Sequence, residues 1–278
     1  YGIQLMWGPA LVKDCYIADN GMCGIGGTGI GAIVEGCEIA HNVWPLYAGL
    51  AWDNGGVKMA VARDMVFRRN YIHRNGGPGL WVDIQTTHLT VEDNIVEFND
   101  WEGILIEISD KTEIRRNISR WNGLFHRGAL WGGQVCLQNS SAVLIESNYL
   151  ESGWDGDSPW GSRQGVMLIN QVDRQFEEGL LGARFGVRNV HISRNTLVMP
   201  GGGHNGVDYG TLGWNTYDDF LAADLTWADN RYLVAQPLYH LWSWRLQPNW
   251  NATVAKWLRW EQWSPLQDSG SSLESFGP

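Results

Sequence analysis

Four polar residues occupy the same place in four similar segments. Lys58 precedes Met59, Asp83 precedes Ile84, Glu107 precedes Ile108 and Gln138 precedes Asn139, each at the end of a short apolar alternation. If these segments stack as strands, Lys58, Asp83, Glu107 and Gln138 form an outward row; one extra residue in the turn before Lys58 is needed to place it. Like charges directly opposite on neighbouring strands destabilise a sheet, so Asp83 beside Glu107 calls for a cation or a chemical role. Two chemistries fit. In a glycoside hydrolase the two carboxylates would be the acid/base–nucleophile pair, starting about 5 Å apart on adjacent strands, with mutual repulsion keeping one protonated as general acid. In a lyase or epimerase, Asp83 and Glu107 would hold Ca²⁺, and Lys58, or Arg63, would remove the proton next to a uronate carboxylate. Carboxylates flanking Lys58 hold its proton on, which tilts this reading toward hydrolysis. The bland alternative is a lysine neutralising a solvated sheet in a non-catalytic adhesin or assembly subunit.

Around the row stand candidates for substrate binding. Trp81 is two residues before Asp83 on the same outer face and is expected to be a sugar platform. Trp52 and Asp53 lie in the turn leading to Lys58, and Asp53 is a third acid candidate. His126, Arg127 and Trp131 belong to an insertion between coils, and Gln138 ends the row. His73, alone in a turn, reads as structural.

These residues are positioned by a repeat. With Cys15, Cys37, Asn70, Asn94, Asn117, Asn148, Asn195 and Asn230 as position 0, Val12, Val34, Phe67, Val91, Ile114, Ile145, Ile192 and Trp227 stand three before. Apolar residues recur at five before and two after. The spacings are 22, 33, 24, 23, 31, 47 and 35, so the coil is the minimum and the excess is loops. Period-two alternation marks short strands with one buried face. A coil this short buries that face only by stacking on its neighbours. Buried Asn is costly unless paired, so Asn in successive coils is expected to bond along the stack, with Asn139 and Asn170 as a second short ladder. Cys15 and Cys37, in the same row, read as small apolar thiols. The glycine clusters read as turns.

Residues 1–238 are therefore expected to form a single all-β domain, a parallel β-helix of about eight coils. Residues 239–278 are expected to cap it with a short helix over Asn251–Trp263, N-capped by Asn251 and stopped by Pro265, and a loose tail from Asp268. No capping segment precedes the first coil, and there is no signal peptide, so the chain is expected to be a mature form or a piece of a longer one.

Composition narrows the classes. The chain has 278 residues with net charge −10, 17 Trp and 35 Gly. Only four lysines occur, Lys13, Lys58, Lys111 and Lys256, and no basic cluster suits nucleic acid. No apolar run is long enough to span a membrane. Exposed aromatic faces need something to bind, and sugar rings are one candidate.

Over about residues 1–235 the pattern resembles the right-handed parallel β-helix proteins of the pectate-lyase-like superfamily. The most specific stretches are GGVK at 55–58, RRNYIHRNGGPGLWVD at 68–83, WEGILIEIS at 101–109 and IRRNISRWNG at 114–123. The resemblance is to a secreted bacterial group, and it implies a carbohydrate-active protein outside the cell, with a polysaccharide as partner. Some β-helix lyases of this superfamily use Lys or Arg bases with Ca²⁺, so the resemblance leaves calcium as a cofactor if the protein is a lyase and none if it is a hydrolase. Hydrolases, lyases, epimerases and adhesins share the fold, so the reaction must be argued from the site.

Overall fold

The computed structural model describes residues 1–43, 53–125, 131–153, 164–170, 186–201, 205–209, 224–235, 242–245, 255–258 and 260–275. Trp52, His126 and Arg127 lie outside them. The chain winds as a right-handed parallel β-helix whose three sheets hold ten, nine and nine strands among the described residues. The first coil is Ile3–Met6, Leu11–Lys13 and Tyr16–Ala18, one strand in each sheet. Eight coils repeat this order, and a ninth is completed by strands near the C-terminus.

The interior is one apolar cluster along the axis. It takes Leu80, Val82, Ile104 and Ile106 from the first sheet, Leu89, Val91 and Ile114 from the second, and Ile72 and Val96 from the third. Ile84, Ile108 and Asn139 do not extend the first-sheet strands as alternation suggested. They have φ of 29°, 46° and 47° and turn the corner into the second sheet. The strands therefore end on Asp83, Glu107 and Gln138.

An asparagine ladder occupies the corner between the second and third sheets. Asn70 Nδ2 donates to Asn94 Oδ1 at 2.9 Å, Asn94 to Asn117 at 3.0 Å, Asn117 to Asn148 at 3.0 Å, and the chain continues through Asn195 to Asn230. Each amide also donates to a carbonyl of the preceding coil, such as Val91 O for Asn117. Cys37 continues the row, its backbone N–H donating to Asn70 Oδ1, and Cys15 and Cys37 are free thiols.

Asn139 is a buried corner residue whose N–H donates to Ile169 O, and the side chain of Asn170 lies outside the described residues. A further ladder runs through Asn20, Asn42, Asn75, Asn99 and Asn122, ending on Gln134 Oε1. Glycine makes room for it, within strands as well as in turns. A Cβ on Gly56 would stand 2.8 Å from Asn75 Nδ2, and one on Gly79 2.7 Å from Asn99 Nδ2. A side chain there would displace the amide, so each Asn is paired with a Gly 18 to 20 residues before it, one coil back: Gly2, Gly24, Gly56, Gly79 and Gly103 for Asn20, Asn42, Asn75, Asn99 and Asn122.

The C-terminal end differs from expectation. Residues 255–258 are a strand antiparallel to Trp242–Arg245, which extends the first sheet beyond residue 238. The helix is Trp260–Gln267 and contains Pro265. Packing decides this: Trp263, fully buried, stands edge-on to Trp227 at 5.4 Å, and Trp260 lies 5.6 Å from Tyr232. The segment after it is not loose up to Ser275, because Asp268–Ser269 and Ser272–Ser275 add final strands to the second and third sheets. Buried Asp268 ends the first ladder, accepting from Asn230 Nδ2 at 3.4 Å, Tyr232 at 2.6 Å, Trp263 at 3.2 Å and Ser271.

Candidate functional site

The outer face of the first sheet brings together Lys58, Trp81, Asp83 and Glu107. Their order departs from the expected row. Leu80 pairs with Val57 and Val82 with Met59, so Lys58 stands opposite Trp81, and Asp83 opposite Ala60. The strand Gly55–Ala60 runs two residues past Lys58, which shifts the lysine one outward position back. On the other side Val82 pairs with Ile106, so Asp83 and Glu107 follow in the same register, and Glu107 pairs with Gln138. The carboxylate row is as expected, with the lysine reaching it diagonally. Lys58 Nζ is 2.6 Å from Asp83 Oδ2 and 2.9 Å from the Trp81 ring centroid. Asp83 Oδ1 also accepts the Ile84 backbone N–H at 2.7 Å. Trp81 Nε1 donates to Glu107 Oε2 at 3.0 Å.

Although these side chains point away from the interior, they are buried: Lys58 is 4% exposed, Asp83 6% and Glu107 4%. Trp81, at 6%, is thus no open sugar platform. One face carries the Lys58 ammonium, and the ring packs with Leu105, Cys136, Met167 and Ile169 in a second apolar cluster, outside the first sheet, against which Trp131 rests half-buried.

Burial pushes the Lys58 ammonium below its ordinary value, against the opposing pull of Asp83 first, then Glu107 and Asp53. Desolvation disfavours the charged form, and here it outweighs three carboxylates. Flanking acids alone would hold the proton on; the loss of water reverses that balance.

Tyr1 joins the site from the first coil, two coils back from Lys58. Its ring lies where a side chain on Gly26 would stand, and Gly26 pairs with Lys58. Its phenol hydrogen-bonds Asp53 and is pushed up to about 12, first by burial and then by Asp53, so it stays protonated. The only sequence signal was the glycine at the outward position next to Lys58.

Calcium takes six to eight oxygens. Among the described residues no three His, Cys, Asp or Glu converge as a metal site. Asp83 Oδ2 holds Lys58 and Glu107 Oε2 holds Trp81, so these donors do not form a calcium cage, and no step is derived through the ion. His73 is buried outside the site, on the third sheet, where it stacks on Tyr71 at 3.9 Å and meets Glu38 at 3.1 Å.

A family described as "Right handed beta helix region" matches residues 1–123. No curated protein matches by sequence. Among solved structures, the Azotobacter vinelandii mannuronan C-5 epimerase AlgE6 A-module superposes with a TM-score of 0.63 at 14% identity, covering 99% of this chain and 60% of that one. The A-module of the AlgE4 enzyme of the same organism gives 0.55 at 14% identity, covering 99% of this chain and 58% of that one. The chain thus spans about 60% of the length of the structures it resembles. At this identity the likeness concerns the fold: the chain is a right-handed parallel β-helix protein.

Proposed function

We propose that this β-helix protein is an extracellular enzyme acting on a polyuronate, and that its reaction begins with removal of the C5 proton by Lys58. The observation that carries this reading is the desolvated Lys58, lowered in pKa although it is ion-paired to Asp83. A lysine base needs a proton that leaves near working pH. The two structural neighbours, both mannuronan C-5 epimerase A-modules, also favour this substrate class.

In the proposed step the neutral Lys58 amine takes the C5 proton, and the C–H electron pair moves into the adjacent carboxylate as an enediolate. The pair then either expels the C4 oxygen, which takes a proton as the chain breaks, or takes a proton at C5 from the opposite face. The first outcome is β-elimination, the second epimerisation. Tyr1, kept protonated, is the candidate donor. Asp83 sets the position and charge of Lys58, Trp81 covers it, and Glu107 anchors Trp81.

A second reading is the hydrolase, favoured by Asp83 and Glu107 standing on neighbouring strands, which lie about 4.8 Å apart.

Incubation with polyuronates in D₂O separates these. The proposal expects deuterium at C5 or an ultraviolet-absorbing unsaturated end, lost in Lys58→Met and in Lys58→Gln. Reducing ends with neither signal give the hydrolase. An inert protein, or an active Lys58→Met, overturns the role of Lys58.

A further inference from the structure

A trough runs along the outer face of the second sheet, away from the Lys58 cluster. Its cause is a backbone feature repeated in successive coils. Asp64, His88, Lys111, Ala142, Asn189 and Asp224 all lie in the left-handed region, with φ between 48° and 56°. Each is six residues before its coil's ladder asparagine. Such a residue bends its strand sharply, and the stacked bends form a concave strip. Over four coils the strip encloses a volume of about 620 Å³, walled by His88, Lys111 and Asn189 on one side and Glu113, Leu144 and His191 on the other.

Two observations say what fits. The charges do not cancel within the trough. Glu113 is ion-paired at 2.9 Å to Arg115, a residue outside it, whereas exposed Lys111 has no ion-pair partner among the described residues. The trough thus offers one uncompensated cation, flanked one coil back by His88. The second observation is the repeat. Adjacent coils lie about 4.8 Å apart, comparable with the advance of an extended hexopyranose chain. A strand laid along the axis therefore meets a polar pair or an apolar step at each sugar. His191 is held by Thr226 at 2.6 Å and Asn189 at 3.0 Å, and Leu144 and Ala142 supply an apolar step for a pyranose face.

We propose that this trough is a second carbohydrate site, binding an extended anionic glycan with one sugar per coil and a carboxylate on Lys111. It lies across one corner from the Lys58 cluster, with only residues 84–87 between Asp83 and His88. The site needs no chemistry from Lys58. It would hold a polymer against the protein whether or not the other face turns it over.

The test uses the full chain and a β-1,4-linked tetrauronate, with its carboxyl-reduced counterpart as the neutral probe. Imidazole proton signals are followed by NMR and assigned with His88→Gln and His191→Gln. The tetrauronate should shift the His88 and His191 signals at saturation. Lys111→Ala should weaken binding about tenfold, the loss of one charge-assisted contact, and Lys111→Arg should restore most of it. The reduced tetrasaccharide should bind wild type about as weakly as the tetrauronate binds Lys111→Ala. Unshifted His88 and His191 signals, an unchanged affinity in Lys111→Ala, or equal binding of both probes overturns the proposal. Since binding here is read without turnover, failure of the Lys58 reaction leaves this test intact.

Discussion

Two charged surfaces of the same solenoid are built on opposite rules. Along the second sheet's edge, charge sign alternates from coil to coil: Lys13, Glu35, Arg68 with Arg69, Glu92 with Asp93, Arg115 with Arg116, Glu146 and Arg194. Each acidic rung is paired with a basic one, at 2.6 Å for Arg68 and Arg69 on Glu35, 3.0 Å for Arg115 on Glu92 and 2.9 Å for Arg116 on Asp93. The arginines are roughly one third to one half exposed. On the first sheet Asp83 and Glu107 are adjacent like charges, and Lys58 is their nearby cation, all nearly dry. Alternation at a wet edge penalises a shift of one coil and costs little. Like charges in a dry place raise the energy of the fold and strengthen every electrostatic contact there. The first pattern serves assembly of the stack, and the second is what chemistry needs.

The largest effect should come from breaking the dry cluster. Lys58→Met leaves Asp83 buried beside Glu107 without its cation and should cost about 3–5 kcal/mol in denaturant unfolding. The double change Lys58→Met with Asp83→Leu should recover most of that. Next comes the ladder that both surfaces lean on. Asn117→Ala removes the bonds its amide donates to Val91, Arg115 and Asn148 and leaves the side-chain amide and backbone N–H of Asn94 without their acceptor, for a loss of about 3 kcal/mol.

Asp100 is the intermediate case, a half-buried acid pushed up to about 6 by burial alone. Its folded value lies above the unfolded one, so its favourable contribution is complete below about pH 4 and is lost as pH rises through about 6. Asp100→Asn should therefore stabilise the protein at pH 7 by about 1–2 kcal/mol, with the gain vanishing below about pH 4. The smallest effect belongs to the wet edge: Glu92→Gln should cost less than about 1 kcal/mol and less still in high salt. The edge also has a pH signature. Hydrogen bonds from Arg68 and Arg69 hold Glu35 down to about 2, so its contribution is present above the ordinary value of 4.5 and fades as pH falls toward 2. Chelation with EDTA should leave activity unchanged, since Asp83 and Glu107 are engaged by Lys58 and Trp81.

The repeat was legible because it rests on local rules. One chain of 278 residues displays the inward alternation eight times, with an Asn at the repeat position in six of the eight coils and a Cys in the other two. The second ladder was equally visible, since Asn20, Asn42, Asn75, Asn99 and Asn122 stand five residues after each position 0. The first-sheet strands end one residue before Ile84 and Ile108, where the chain turns. Adjacent Asp83 and Glu107 followed from register alone. The Lys58–Trp81 contact did not, because it depends on a two-residue overrun of one strand. Burial of the cluster was illegible for a deeper reason: an outward position in a strand says nothing of what lies over it. The C-terminal helix was misplaced because capping residues were weighed and the seating of Trp260 and Trp263 on the last coil was not.

The central claim, that desolvation beats three carboxylates at Lys58, can be read from the lysine itself. With four lysines in the chain, side-chain ¹⁵N or ¹³C NMR resolves each titration, with Lys58→Arg as assignment. Lys58 should lose its proton below the ordinary 10.5. A Lys58 that titrates at or above 10.5 would mean that the carboxylates prevail, and the lysine would then be a structural counter-ion.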